Sequence, residues 1–119
     1  MNLALWIVAG VLAFVFAGSG LMKLAVPKDQ LVAKGQGWAE SVDPNAIRFI
    51  GAVEVLGAIG LIVPPLVGIA PVLAPLAAVG LALVMLGAIV THARRGEIPN
   101  VVINLVLLAL AVFVAWGRF

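Results

Sequence analysis

The chain has 119 residues, of which 65% are hydrophobic and 10% are charged, and its mean hydropathy is +1.27. A soluble domain is usually about 45–50% apolar and about 25% charged, so the composition excludes a water-soluble globular fold and makes the lipid bilayer the expected environment. The absence of cysteine excludes disulfides, thiolate metal sites and iron–sulfur clusters, and a net charge of +2 gives no reason to expect nucleic acid as a partner.

The first apolar segment covers about residues 3–22 and has no charged residue before Lys23. A membrane-spanning helix needs about 20 apolar residues, which this segment supplies. Ala17, Gly18 and Ser19 resemble a signal-peptide cleavage site, so a signal peptide is the alternative interpretation. A positively charged start is missing, and the apolar run exceeds the usual length of about 7–15 residues, which favours the spanning helix.

A long connection follows over about residues 23–45. The stretch from Pro27 to Lys34 can form one or two helical turns, which Gly35 and Gly37 then end. Trp38 favours the level of the lipid headgroups, where an indole ring has both apolar and polar surroundings. We therefore expect this connection to lie on the membrane surface.

The second spanning segment covers about residues 46–63. Asp43 and Pro44 precede it and suit a helix start, as a capping residue followed by a first-turn proline. Pro64 and Pro65 follow it and are expected to end the helix, because proline lacks the N–H that a helix interior requires.

The third and fourth segments cover about residues 72–91 and 100–116. The connections on either side of the third segment are short, so the helices that they join should be antiparallel neighbours. The sequence therefore predicts an all-α fold, a four-helix transmembrane bundle that forms a single domain over residues 1–119.

Basic residues indicate the orientation of the predicted bundle. Two connections that share one membrane side contain nearly all of them, whereas Arg118 is the one basic side chain on the other side. Those on the shared side are Lys23, Lys28, Lys34, Arg94 and Arg95. Cytoplasmic loops carry an excess of lysine and arginine, so we expect the basic loops in the cytoplasm and both termini outside, in a bacterial plasma membrane.

Small residues recur at helical spacing along the predicted spans. Helix packing in lipid depends on such residues, because they allow two backbones to approach closely. Rows of them occur at Ala9, Ala13 and Ala17, and again at Ala74, Ala78 and Ala82. Two interpretations remain open, namely tight packing within one chain and an interface between copies in a homo-oligomer.

Glu54 lies well inside the second predicted span. A charged group at such a depth costs about 3 kcal/mol on insertion scales, so it must be paired, protonated or in contact with a wet cavity. Arg48 is six residues away and therefore on a different helix face, which makes Lys23 or His92 the better partner. Both a structural ion pair and a ligand-binding or proton-binding carboxylate are compatible with this position.

His92 is the single histidine of the chain, so haem ligation by two histidines of one chain is impossible. It ends the third helix, where it is either an interface residue or a proton exchanger. Asn100 and Asn104 are four residues apart and share one face of the fourth helix. The candidate ligand-binding or proton-binding residues are thus Glu54, His92, Lys23, Asn104 and Asn100, and no metal site is predicted.

Three groups of residues in chain order resemble the DoxX-like family of small four-helix integral membrane proteins. The resemblance extends over nearly the whole chain and implies that Lys23, Glu54 and His92 belong to the family pattern. The groups are Gly20-Leu21-Met22-Lys23-Leu24 with Pro27, then Gly51 to Gly57 with Leu61 and Pro64, and Pro75-Leu76-Ala77-Ala78 with Thr91-His92.

The resemblance leaves the activity open, including whether the protein is an enzyme. Some relatives resemble subunits of quinone-linked oxidoreductases, others are linked to oxidative-stress complexes, and distant animal relatives act as assembly chaperones. An accessory or assembly subunit of a membrane complex is the main expectation, because the sequence shows no convincing catalytic group. A quinone-linked redox subunit beside a partner oxidoreductase is one alternative, with no cofactor other than quinone. A small oligomeric transporter or channel is the other.

Overall fold

The computed structural model describes residues 2–33, 39 and 42–119. This part of the chain is helical, and four of its helices are long and apolar enough to cross a membrane. The predicted all-α four-helix bundle is therefore confirmed. The helices are α1 (Asn2–Ala25), α2 (Lys28–Ala33), α3 (Pro44–Val67), α4 (Leu73–Arg94) and α5 (Ile98–Arg118), all but α2 being candidate spans.

The four long helices form an elongated bundle with overall dimensions of 41 × 26 × 17 Å. Helix α1 packs mainly against α3, α4 packs mainly against α5, and the contacts of α3 with α4 and of α1 with α5 join the two pairs. The centre is filled by fully buried apolar side chains, chiefly Leu12, Phe16, Leu61, Leu81 and Val114.

Apolar side chains cover the outside of the bundle as well as its centre. Phe14 is 83% exposed and Leu3 is 73% exposed, although both are large and apolar. Within the 18-residue apolar stretch that defines each candidate span, no more than 28% of the residues are buried inside the bundle. Water does not stabilise such a surface, whereas hydrocarbon does, so the chain is an integral membrane protein.

The end of α3 corrects one expectation from the sequence. Pro64 and Pro65 do not end the helix, which continues to Val67. It ends at Gly68, whose backbone has a left-handed φ of 71°, and the N–H groups of Gly68 and Ile69 donate to the Pro64 carbonyl. The two prolines remove only their own donors, and the Pro64 carbonyl still accepts. In lipid the chain therefore stays helical until a glycine allows it to turn.

The start of α3 agrees with the sequence. Asp43 caps the helix, since its Oδ1 atom accepts a hydrogen bond of 2.7 Å from the backbone N–H of Asn45. The short helix α2 forms where one or two turns were predicted, and its Leu31 is buried against Ile47 of α3. Four residues of the sequence predictions lie outside the described residues. They are Gly35 and Gly37, predicted to end that turn, Trp38, predicted to reach the headgroups, and the basic loop residue Lys34.

Two glycines allow α1 and α3 to approach very closely. A Cβ atom built on Gly20 would lie 2.6 Å from the carbonyl oxygen of Gly51 and 2.7 Å from Cγ2 of Val55. A Cβ atom on Gly51 would in turn lie 2.8 Å from the carbonyl oxygen of Gly20. The two carbonyl oxygens are backbone atoms, which cannot rotate away, so neither position tolerates a side chain without separating the helices.

We therefore expect Gly20→Ala to lower the stability of the bundle by about 1–3 kcal/mol, the usual cost of forcing extra atoms into a packed core. Gly18→Ala is the matched control, because a Cβ atom there meets nothing within 4 Å. It should be neutral or slightly stabilising, since alanine favours a helix over glycine. Thermal unfolding in detergent measures the difference, and equal melting temperatures for the two variants would contradict this account.

Candidate functional site

A cavity of about 520 Å³ lies between the two helix pairs, at the end of the bundle where α1 and α4 end and α3 and α5 begin. In the other half, Gly57 faces Leu81 and Gly60 faces Ala77, so α3 and α4 are in close contact there. The helices separate toward the cavity. All five candidate residues from the sequence line it: Lys23, Glu54, His92, Asn100 and Asn104.

Lys23 and Glu54 form an ion pair on the α1–α3 wall of the cavity. The Lys23 Nζ atom is 2.7 Å from Oε1 of Glu54, and the exposed fractions of the two side chains are 15% and 2%. Of the two partners considered for Glu54 from the sequence, Lys23 is the one in contact. Arg48 lies on an exposed part of α3, as its spacing from Glu54 predicted.

Ser19 completes this ion pair and was not recognised from the sequence as part of a site. Its hydroxyl donates to Oε1 of Glu54 at 3.2 Å and accepts a hydrogen bond from the Lys23 ammonium. The signal was available, because Ser19 and Lys23 are four residues apart and so share a helix face. An ammonium group held by a carboxylate has no lone pair with which to take a proton, so this Ser–Lys contact does not form a nucleophilic dyad.

His92 lies on the opposite wall, where it pairs with Glu97 instead of Glu54. Its Nδ1 atom is 2.8 Å from Oε1 of Glu97, which belongs to the tight turn between α4 and α5. Gly96 allows that turn through a φ of 71°, and the Glu97 N–H donates to the His92 carbonyl. The sequence interpretation missed Glu97, because turn geometry alone brings it back toward the histidine.

The Glu97 carboxyl group carries a charge in this arrangement. The hydrogen bond with His92 lowers the pKa of Glu97 below its ordinary value, and the positive charge of Arg95 lowers it further. The Arg95 Nε atom is 3.3 Å from Oε1 of Glu97. A lowered carboxyl pKa means that the contact stabilises the turn at neutral pH and is lost as the pH falls through the lowered pKa.

Asn100 and Asn104 line the cavity from α5, one helical turn apart, as the sequence predicted for residues on one face. The Nδ2 atom of Asn100 is 3.4 Å from Nδ1 of His92. Asn104 is only 9% exposed, and its side-chain amide has no hydrogen-bond partner among the described residues. It therefore presents two donors and one acceptor to the cavity.

The rest of the lining is apolar and includes Phe16, Val84, Met85 and Leu107. Among the residues that the structure describes, no three histidine, cysteine or acidic side chains come close enough together to hold a metal ion. What the cavity offers is hydrogen bonding at a few points inside apolar walls, the usual lining of a small-molecule site.

A comparison with protein families identifies the family of the chain. The model of the DoxX-like family matches residues 7–114. The chain belongs to the DoxX-like family. No curated protein and no solved structure matches this DoxX-like chain. The matched residues include most of each span, the ion pair and the lining of the cavity. Membership of the family assigns no activity to the chain.

In this DoxX-like protein, breaking the buried ion pair should cost more than removing both charges. We expect Lys23→Met to lower stability by about 3 kcal/mol, because the Glu54 carboxylate then has no cation beside it. The double variant Lys23→Met/Glu54→Gln should recover most of that loss, since no buried charge remains. Thermal unfolding of Lys23→Met, Glu54→Gln and the double variant in detergent gives the coupling free energy between the two residues. Losses that simply add would show that the pair does not stabilise the bundle.

Proposed function

We propose that this DoxX-like protein binds a small molecule of the quinone class in the cavity within its transmembrane bundle. The observation that carries the proposal is the Asn104 amide, which is nine-tenths buried and has no partner among the described residues. A ligand with a carbonyl or hydroxyl oxygen in the cavity would give this amide the hydrogen-bond partner that the described residues do not supply.

The dimensions and lining of the cavity support this ligand class. Its volume of about 520 Å³ falls within the range of about 300–1,000 Å³ that is usual for small-molecule pockets. Phe16, Met85 and Leu107 supply apolar walls for the faces of a ring, and Asn100 and Asn104 supply donors for oxygens at its edge.

Within this proposal the protein supplies the quinone site of a larger redox system, and a partner oxidoreductase supplies the electrons. The main expectation from the sequence, an accessory subunit without a ligand, explains neither the cavity nor the unpartnered amide. A transport path through one chain is disfavoured by the other half of the bundle. There, Leu12, Leu61 and Leu81 are fully buried and fill the centre with apolar side chains.

The proposal predicts that the purified protein binds ubiquinone with one isoprene unit, and that Asn104→Leu weakens this binding. The loss should be about fivefold to tenfold, the usual effect of removing one hydrogen bond from a buried ligand. Isothermal titration in detergent measures the affinity. Leu105→Ala is the control, because Leu105 is 49% exposed on the neighbouring position of α5, outside the cavity lining. The proposal fails if the wild-type protein binds no quinone.

The orientation in the membrane is the second part of the proposal, with the basic loops in the cytoplasm and both termini outside. Antiparallel packing brings the ends of α1 and α4 and the start of α3 to one end of the bundle. The basic residues there are Lys23, Lys28, Arg48, Arg94 and Arg95. In the other half, the Arg118 guanidinium contacts Asn2 and lies over the ring of Trp6. The excess of positive charge supports a cytoplasmic position for the cavity mouth.

Single cysteines test this orientation cleanly, because the chain has no cysteine of its own. We expect Phe119→Cys to react with a membrane-impermeant maleimide added to intact cells, and Asp29→Cys to react only after the membrane is opened. Both residues are exposed at opposite ends of the bundle. The reverse labelling pattern would show that the basic loops face outside.

A further inference from the structure

Two groups compete for the same nitrogen of His92. The Nδ1 atom is 2.8 Å from Oε1 of Glu97 and 3.4 Å from Nδ2 of Asn100. A carboxylate only accepts hydrogen bonds and an amide nitrogen only donates them, so the two contacts need opposite states of Nδ1. With a proton, Nδ1 donates to Glu97, and without one it accepts from Asn100.

The charge of Glu97 decides between these states. Glu97 has a lowered pKa, so its carboxylate stays ionised at neutral and mildly acidic pH. An ionised carboxylate at 2.8 Å holds the proton on Nδ1, in the way that carboxylates orient histidines in many catalytic and metal sites. The ring nitrogen left for a ligand is then Nε2. His92 also lines the cavity.

We infer that His92 binds an oxygen atom of the ligand through Nε2, and that Glu97 is the positioning residue that sets the protonation of the ring. The inference rests on the proposed function and adds to it a role for the α4–α5 turn. It also gives the site a dependence on pH. Imidazole gains its second proton between about pH 5 and 8, and that proton changes Nε2 from an acceptor into a donor.

Charged and polar groups surround His92 on three sides. From the turn it faces the carboxylate of Glu97, with Arg95 behind that carboxylate. Across the cavity, α1 and α3 contribute Lys23 and Glu54, which neutralise each other as an ion pair. From α5 it faces Asn100, which carries no charge. Glu97 is therefore the charged group nearest to the ring.

Carbonyl and hydroxyl ligands should respond to pH in opposite directions. A quinone carbonyl only accepts, so it needs the protonated ring, and its affinity should rise about fivefold as the pH falls from about 8 to about 5.5. A quinol hydroxyl donates to the neutral ring, so its affinity should fall over the same range. A purely structural role for His92 produces neither trend.

The decisive experiment titrates ubiquinone with one isoprene unit, and its quinol kept reduced under argon, into the wild-type protein and Glu97→Gln at several pH values. Glutamine keeps the size of the side chain and removes the charge that holds the proton on Nδ1, so the variant should show a smaller change of quinone affinity with pH than the wild-type protein. Arg94→Gln is the control, because Arg94 is exposed beside the same turn and should leave the profile in place.

Nitrogen-15 NMR of the single histidine gives a second test that needs no ligand. The neutral ring should carry its proton on Nδ1 in the wild-type protein and on Nε2 in Glu97→Leu, where Asn100 becomes the partner. A wild-type ring protonated on Nε2 would overturn the inference. Quinone binding that does not vary with pH would also overturn it and leave the proposed function standing, whereas no quinone binding at all would overturn both.

Discussion

The ion pair between Lys23 and Glu54 is the interaction on which the rest of the bundle depends. A carboxylate in the middle of an apolar helix is costly in lipid unless it is compensated, and the Lys23 ammonium lies 2.7 Å from Glu54. The contact requires α1 and α3 to be very close, which Gly20 and Gly51 permit because neither has a side chain. Charge and small residues therefore act together to join the first helix pair.

The cavity follows from the way in which this pair meets the other one. Glycines bring α3 and α4 together in the half beyond Gly57, and a buried apolar core fills that half. Toward Glu54 the helices separate, and both walls there carry polar side chains among apolar ones. One half of the bundle thus provides stability and the other provides a site. Under the proposed function, a ligand binds in that half and does not pass through the bundle.

The two walls of the cavity differ in how completely their polar groups are satisfied. On the α1–α3 wall, Glu54 accepts from Lys23 and Ser19, so its charge is already compensated. On the α4–α5 wall, Asn104 has no partner among the described residues, and His92 has one ring nitrogen engaged by Glu97. Unsatisfied groups on one wall are what a ligand of the quinone class would use. Under the proposed function, the first wall therefore has mainly a structural role and the second wall binds the ligand.

The sequence by itself determined that lipid surrounds the chain, how many spans it has and which polar residues are candidates for a site. Four long apolar runs have no stable alternative to membrane helices, and rare polar residues such as Glu54, Asn104 and His92 stand out against them.

Tertiary structure alone decided which of these groups meet, because partners depend on the distances between helices, which apolar periodicity does not encode. It selected Lys23 for Glu54, gave Glu97 to His92 through a tight turn, and left Asn104 facing an open cavity. Helix α3 also continues past Pro64 and Pro65. Unpaired backbone N–H and C=O groups are costly in lipid, and ending the helix at the prolines would leave more of them unpaired than the two missing N–H donors do.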